Sequence, residues 1–153
     1  MGLFFVGVGG LLLLDQLTKW LVLETLTKVD TQALIEGVLH FTYCENRGAA
    51  FGILENQIWF FVVITVLVLF GVGYYMVRYR PTSKWLNASL LLLTGGALGN
   101  FVDRIFRGYV IDFIDFRLID FAIFNVADCF VVVGACMLAI YMIFSEYKKE
   151  KNK

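Results

Sequence analysis

The sequence is poor in charged residues, in proline and in histidine. Only 17% of its 153 residues are charged, whereas 59% are hydrophobic, 16% are aromatic and the mean hydropathy is +0.76. Because soluble domains carry about 25% charged residues, this composition excludes an ordinary soluble protein and indicates an integral membrane protein. The formal net charge is zero, so there is no overall basic field to attract nucleic acid.

Motifs for metal-dependent and nucleophilic hydrolysis are also missing. The only histidine, His40, excludes an HExxH zinc pair. The three cysteines lack CxxC spacing, which argues against a disulfide framework and against a zinc site. Ser83-Lys84 lies in a short basic loop with no apolar site around it. The sequence therefore predicts no metal ion, no cofactor and no serine or cysteine mechanism.

Four hydrophobic stretches are candidates to cross a bilayer. They occupy about residues 3–22, 57–77, 85–106 and 121–144. The second is nearly uncharged and, at about 1.5 Å per residue, reaches roughly the 30 Å of one hydrocarbon core. A polar segment at 24–56 connects the first stretch to the second, and another at 107–120 connects the third to the fourth. Within the first of these, residues 33–43 mix β-branched and aromatic residues in partial alternation, which predicts short strands or an interfacial platform.

Basic residues predict the orientation of the spans. Short loops rich in lysine and arginine stay in the cytoplasm. The loop 78–84 carries three basic residues and the tail 146–153 carries four lysines, so both termini are expected inside and residues 24–56 and 107–120 outside. The first hydrophobic stretch has no basic residue before it and no A-x-A-like site after it, and we expect a retained span rather than a signal peptide.

Polar residues occur at one depth on three of the four spans. They are Asp15 and Lys19, then Asn100, Asp103 and Arg104, then Asn125 and Asp128. In the predicted topology all of them lie in the outer leaflet, where ionisable groups are costly and are functional candidates by default. Helical spacing places Asn100 with Arg104 on one face, and Asn125 with Asp128 on another. Polar groups from separate spans are therefore expected to converge.

Asp112 and Asp128 are the candidates for chemistry. Asp112 is expected in the outward loop, where Phe113 and Phe116 could fold it back onto the membrane. Two carboxylates in a partly dry site cannot easily both ionise, so they share a proton. Such a pair can act as a base toward water and as an acid toward a leaving amine.

Simpler interpretations stay open. Asp128 could be a helix N-terminal charge or a partner of Arg104 or Lys19, and Asp112 could pair with Arg107. The remaining aspartates of this region are expected to be structural or solvated: Asp103, Asp115 and Asp120. For the whole protein, a proton or cation pathway and a purely structural assembly partner are the alternatives to an enzyme. The inner halves of the spans are almost wholly apolar, which disfavours a pathway across the membrane.

Five motifs resemble those of the lipoprotein signal peptidase family, also called signal peptidase II, the aspartyl peptidases of bacterial membranes. They are DQLTK at 15–19, NRGAAFG at 46–52, GALGNFVDR at 96–104, VIDF at 110–113 and FNVAD at 124–128. They follow the family order over nearly the whole chain. The resemblance implies an all-α membrane protein, a four-transmembrane-helix bundle with a small extracytoplasmic β-platform, as one peptidase domain over 1–153.

The resemblance also implies a substrate and a location. The substrate would be a prolipoprotein whose lipobox cysteine already carries diacylglycerol, cleaved just before that cysteine to release the signal peptide. The enzyme would be a monomer in the bacterial inner or plasma membrane, in contact with membrane lipid and without a nucleic-acid partner. The cyclic peptide globomycin, an inhibitor of the family, would bind at the two aspartates.

Roles follow from the resemblance residue by residue. Asp112 and Asp128 match the catalytic pair, which would activate a water and form a non-covalent tetrahedral intermediate. The residues that match those lining and holding the site, some of which could stabilise the developing charge, are Asn46, Gly48, Asn100, Arg104 and Asn125. Asp15 and Lys19 match the first motif and are expected to support the site. Cys129 stands where serine is more common in the family, without an expected effect on the chemistry.

Overall fold

The computed structural model of the protein describes residues 2–49 and 53–151. Within these residues, four helices are long and apolar enough to cross a membrane. They are α1 (Gly2–Thr25), α2 (Ile58–Tyr79), α3 (Lys84–Phe106) and α4 (Val126–Lys151). One antiparallel sheet contains β1 (Thr31–Ile35), β2 (Leu39–Asn46) and β3 (Val110–Phe116) in that spatial order. The predicted four-helix bundle with a small β-platform is confirmed.

Helix α3 is the centre of the bundle and packs against the other three helices. Its glycines make this possible because they let neighbouring helices approach closely. A Cβ atom added at Gly96 would collide with the carbonyl oxygen of Ala127 and with Val131 on α4, and one at Gly95 would lie 2.7 Å from Leu11 on α1. The small residues of α3 therefore determine how closely α1 and α4 approach α3.

The segment between α3 and α4 differs from the prediction. Asp112 was expected in a loop, but it lies in strand β3, so that expectation was wrong. The run Val110–Phe116 has a β-branched or aromatic residue at every position except its two aspartates, a composition that favours a strand. Ile111 is completely buried and packs with Val22 and Leu26 of the first helical segment. Burial of this apolar strand against the bundle is what the loop prediction overlooked.

The fourth predicted stretch begins at residue 121, whereas helix α4 begins at Val126. The intervening residues are extended because Phe124 pairs with Ile114 of β3. The Phe124 N–H donates to the Ile114 carbonyl oxygen at 3.1 Å, and the Ile114 N–H donates to the Phe124 carbonyl oxygen at 2.8 Å. This bridge holds the first turn of α4 beside β3.

Two clusters of buried apolar residues stabilise opposite ends of the bundle. The cluster under the sheet contains Val22, Leu26, Ile111 and Phe113. The cluster at the other end contains Phe4, Val8, Met76, Leu86 and Leu90. Between them, at the sheet end of the bundle, lies a buried group of polar side chains, and this is where the candidate site is found.

Candidate active site

Asp112 lies on β3 and is almost completely buried, with 1% of its surface exposed. Both carboxylate oxygens accept hydrogen bonds: Oδ2 from Asn46 Nδ2 at 2.8 Å and Oδ1 from Asn125 Nδ2 at 2.6 Å. Burial raises the pKa of Asp112 to about 7, and the nearby charge of Asp128 adds to the effect. The two amide hydrogen bonds oppose the rise. Asp112 is therefore able to hold a proton near neutral pH.

Asp128 lies in the first turn of α4, where it forms a reciprocal pair of bonds with Asn125. The Asp128 N–H donates to Asn125 Oδ1 at 3.0 Å, and the Asn125 N–H donates to Asp128 Oδ2 at 3.1 Å. This is a capping box, which satisfies N–H groups that a helix start leaves unpaired. Asp15 of α1 accepts another, the N–H of Ala127, at 3.0 Å. Helix capping thus determines the position of the Asp128 carboxylate.

Two asparagines connect the two aspartates. Asn125 Nδ2 donates both to Asp112 and, at 3.0 Å, to Asn100 Oδ1. Asn100 Nδ2 in turn donates to Asp128 Oδ1 at 2.7 Å. The orientation of the Asn100 amide is fixed because its oxygen also accepts a hydrogen bond from Lys19 Nζ at 3.0 Å. Asp112, Asn125, Asn100 and Asp128 therefore form one continuous hydrogen-bonded network.

A buried cluster of charges supports this network from the side of α1. Lys19 has no exposed surface and forms ion pairs with Asp15 at 2.9 Å and with Asp103 at 2.8 Å. Asp103 also pairs with Arg107 and accepts a hydrogen bond from Gln16 Nε2 at 3.2 Å. Burying charges is tolerable only when each has partners of this kind. The cluster joins α1 to the C-terminal half of α3.

Arg104 connects α3 to the loop after β2 and to α2. Its Nη2 donates to the Gly48 carbonyl oxygen at 3.0 Å, and its guanidinium carbon lies 4.7 Å from the centre of the Phe61 ring. The Gly48 N–H donates to Asn46 Oδ1 at 2.9 Å, which orients the Asn46 amide toward Asp112. Gly48 has little room for a side chain, since an added Cβ would lie 2.7 Å from the Ile53 carbonyl oxygen.

A cavity of about 590 Å³ reaches these groups. Its polar lining includes Asn46, Asn100, Arg104, Asp112 and Asp128. The rest of its wall is mostly apolar and includes Phe121, Ala122, Ile123, Phe124, Cys129, Val132 and Val133. A mostly apolar cavity with a few convergent polar groups and a carboxyl of raised pKa is the usual form of a catalytic site.

Comparison with known proteins identifies the family. The family model for signal peptidase II matches residues 8–144, which is most of the chain. The chain belongs to the signal peptidase II family. The resemblance found in the sequence is confirmed, and membership makes this chain a peptidase and, with its four apolar helices, a multi-pass membrane protein.

Curated and solved relatives of this family cover nearly the same length. A lipoprotein signal peptidase of Halalkalibacterium halodurans is 45% identical over 94% of this chain and 93% of its own length. One from Clostridioides difficile is 46% identical over 88% of this chain and 90% of its own. A bacterial membrane enzyme solved by the in meso method has a TM-score of 0.89 at 32% identity, covering 97% of this chain and 92% of that chain.

The nine residues predicted for a signal peptidase II site lie in one connected group. Those that hydrogen-bond one another around the cavity are Asn46, Asn100, Asp112, Asn125 and Asp128. Lys19 joins the group through Asn100, Asp15 through the start of α4, and Gly48 and Arg104 bond each other beside it. Of the NRGAAFG motif, residues 50–52 lie outside the described residues.

Among the described residues, the structure contains none of the salt bridges that the simpler interpretations assigned to the two aspartates. The hydrogen-bond partners of Asp112 are two asparagines, and Arg107 pairs with Asp103 instead. Asp128 is bonded to Asn100 and Asn125 rather than to a basic side chain. It does lie at a helix N-terminus, as one alternative held. Asp103 was expected to be structural or solvated, and it is structural: it is completely buried and forms ion pairs with Lys19 and Arg107.

Two contributors were absent from the sequence prediction. Gln16 bonds Asp103 and the Gly99 carbonyl oxygen, at 3.2 and 3.3 Å, and Phe61 lies against Arg104. Gln16 lies inside the DQLTK motif, so its position beside Asp15 was a usable signal. Phe61 comes from the apolar helix α2, where nothing distinguishes it from the other aromatic residues.

Proposed function

We propose that the protein is an aspartyl endopeptidase that removes the signal peptide from diacylglyceryl-modified prolipoproteins, cutting just before the lipidated cysteine. The observation that carries the proposal is the pair Asp112 and Asp128, which line one cavity and are bridged by Asn125. The name of the curated relatives, lipoprotein signal peptidase, supports the choice of substrate.

The protonation of the pair follows from its surroundings. Asp112 is the carboxyl whose pKa is raised to about 7 by burial and by the charge of Asp128, so Asp112 carries the shared proton. Asp128 then acts as the base that takes a proton from water. The resulting hydroxide attacks the scissile carbonyl, and Asp112 donates a hydrogen bond to its oxygen and later supplies a proton to the leaving amine.

The remaining polar groups differ in whether they have hydrogen-bond donors free to contact a substrate. Asn125 uses both Nδ2 hydrogens, its N–H and its Oδ1 on neighbours, so it orients the aspartates and has no donor for substrate. A guanidinium has five donors, and among the described residues Arg104 directs only Nη2 at the Gly48 carbonyl oxygen and Nη1 weakly at the Asn100 carbonyl oxygen. Arg104, the cation in the cavity lining and a group with donors to spare, is therefore placed to stabilise negative charge developing in the cavity.

The apolar wall of the cavity suits a lipid-bearing substrate. Val132 and Val133 on α4 line the cavity, yet they are 60% and 50% exposed on the outer surface of an apolar helix. A diacylglyceryl group can therefore enter from the bilayer while the peptide reaches the aspartates. Globomycin binds in the same cavity, and the protein works as a monomer with the sheet outside and both termini in the cytoplasm.

The test is cleavage of a diacylglyceryl-modified prolipoprotein by the purified protein in detergent, with the cut located by mass spectrometry. Asp112→Asn and Asp128→Asn should each lower the rate by about 100- to 10,000-fold, the usual contribution of acid and base groups. An unmodified precursor should not be cut. Near-normal activity in either folded variant would rule out the aspartyl mechanism.

Asp115→Asn is the matched control, because it makes the same change on the same strand. Burial acts to raise the pKa of Asp115, but hydrogen bonds from Thr42 and Arg117 outweigh it, so that its pKa lies below the ordinary value. Its Oδ2 accepts from Thr42 Oγ1 at 2.7 Å and from Arg117 Nε at 2.8 Å. Asp115 therefore stabilises the sheet through these hydrogen bonds. Its variant should keep cleavage activity within a few-fold of the parent.

A further inference from the structure

A second cavity, of about 860 Å³, lies at the end of the bundle opposite the sheet. It is bounded by the start of α1, the end of α2 and the start of α3. Its lining includes Phe4, Met76, Arg80, Lys84 and Asn87. Phe4 and Met76 are buried, whereas Arg80 and Lys84 are exposed at its rim. The cavity thus combines an apolar floor with a cationic edge.

Neither of the two rim cations forms an ion pair with any described acidic side chain. Every ion pair between described side chains involves other basic residues. The N-terminus of α3, which begins at Lys84, adds the positive end of a helix dipole to the same edge. The positive charge at this edge therefore favours binding of an anion. The apolar floor beside it favours binding of a hydrocarbon chain.

The backbone holds Arg80 at this edge despite a conformational cost. Arg80 ends α2 in the left-handed region, with φ of 46°, and its N–H donates to the Met76 carbonyl oxygen at 3.2 Å. Glycine is the usual residue at such a helix end, because a side chain is unfavourable there. Unfavourable conformations of this kind concentrate at functional positions.

Asn87, which also lines the cavity, has a polar atom without a hydrogen-bond partner among the described residues. Its Nδ2 donates to the Pro81 carbonyl oxygen at 2.9 Å, which fixes the orientation of the amide. Its Oδ1 is buried and accepts no hydrogen bond from the described part of the chain. A buried acceptor without a partner is costly. A ligand in this cavity that carries a hydroxyl could satisfy it.

We propose that this cavity binds an anionic phospholipid with a hydroxyl-bearing headgroup, such as phosphatidylglycerol. The phosphate contacts Arg80 and Lys84, a headgroup hydroxyl donates to Asn87 Oδ1, and an acyl chain lies on the floor formed by Phe4 and Met76. The site is separate from the aspartates, so it stands or falls independently of the proposed peptidase mechanism. The bound lipid contacts α1, α2 and α3 and so links these three helices.

The experiment is a titration of the full-length protein in neutral detergent with phosphatidylglycerol, followed by native mass spectrometry. Arg80→Gln and Lys84→Gln should each weaken binding about tenfold, as expected for the loss of a charge-assisted hydrogen bond. Arg78→Gln is the matched control, since Arg78 is a neighbouring cation that stacks on Tyr79 and is not part of the cavity lining. An equal loss in all three variants would overturn the proposal in favour of non-specific charge attraction.

Three ligands applied to the unaltered protein test the chemistry without a mutation. Phosphatidylcholine should bind at least tenfold more weakly than phosphatidylglycerol. Phosphatidylmethanol, which keeps the charge but lacks the hydroxyls, should bind about fivefold more weakly because one neutral hydrogen bond is lost. Inorganic phosphate at millimolar concentration should not compete. Equal binding of the neutral lipid, or displacement by free phosphate, would overturn the proposal. Equal binding of phosphatidylmethanol would overturn the role of Asn87.

Discussion

Helices α2 and α3 are of nearly equal length but have opposite relations to the bilayer and to the site. The most apolar stretch of α2 has a mean hydropathy of 2.4, and that of α3 only 1.3. Yet α2 buries just Val62 and Met76, whereas α3 buries seven residues that include three glycines and Asp103. The helix that looks most like a membrane span contributes least to the site.

The reason is that lipid and protein neighbours select different residues. A helix that faces hydrocarbon can be apolar all round, because lipid tails are as apolar as leucine. A helix surrounded by other helices needs small residues where backbones approach, and any polar residue it carries must find partners there. Low hydropathy in α3 is therefore the signature of its central position.

The largest effect should come from breaking the charge cluster that α3 shares with α1. Lys19→Met leaves Asp15 and Asp103 buried without their common cation, and loss of one partner of a buried pair costs about 3–5 kcal/mol. Thermal unfolding in detergent should show a much lower midpoint. Lys28→Met is the control, since Lys28 is exposed and in no described ion pair. Equal midpoints for the two variants would contradict the cluster's importance.

Glycine substitutions compare the two helices directly. Gly96→Ala on α3 places a methyl group against the Ala127 carbonyl oxygen and should cost about 1–3 kcal/mol, as overpacking does. Gly73→Ala on α2 meets nothing within 4 Å and should be neutral or stabilising by about 0.5–1 kcal/mol, because alanine favours the helix. Unfolding curves of both variants check this, and a reversed order would refute the difference between the helices.

The pH profile tests whether the polar end of the bundle holds a proton. The pKa of Asp112 is raised to about 7, so its proton is present below that pH and lost above it. If Asp112 acts as the acid, kcat/KM should fall about tenfold per pH unit above about pH 7. The measurement is the cleavage rate from pH 5 to 9, with the folded state monitored. A flat profile to pH 9 would show that this proton is not needed.

The smallest expected effect is a difference in stability between two variants of Asn125, and it separates the two roles of this residue. Asn125→Ala removes both the cap of α4 and the bond to Asp112, whereas Asn125→Ser keeps a capping oxygen only. The alanine variant should be about 1 kcal/mol less stable than the serine variant. Both should lose most cleavage activity, since neither reaches Asp112. Equal stability of the two would mean that capping does not hold the start of α4.

Strand β3 illustrates what sequence analysis missed and why. The aspartate in VIDF was recognised as a candidate, but its segment was taken for a loop. The paired strand β2 lies more than 60 residues earlier in the chain, and pairing over such a distance leaves no local signal. The extended residues before α4 were assigned to a helix for the same reason, since the bridge from Phe124 to Ile114 is a tertiary contact.

The sequence by itself determined the membrane class, the four spans and the candidate site residues. Composition and hydropathy follow directly from the lipid environment, and the polar residues stood out because a bilayer tolerates them only where they have a use. The motifs then indicated the family.

Only the tertiary structure decided how those residues are connected. Asn125, at the start of α4, bonds Asp112 on β3, and Lys19 on α1 orients Asn100 on α3. Both hydrogen bonds depend on contacts between separate elements. A side chain can choose among several partners of the same chemistry. The choice is made by helix packing at the glycines of α3 and by the pairing of β3, which local sequence does not encode.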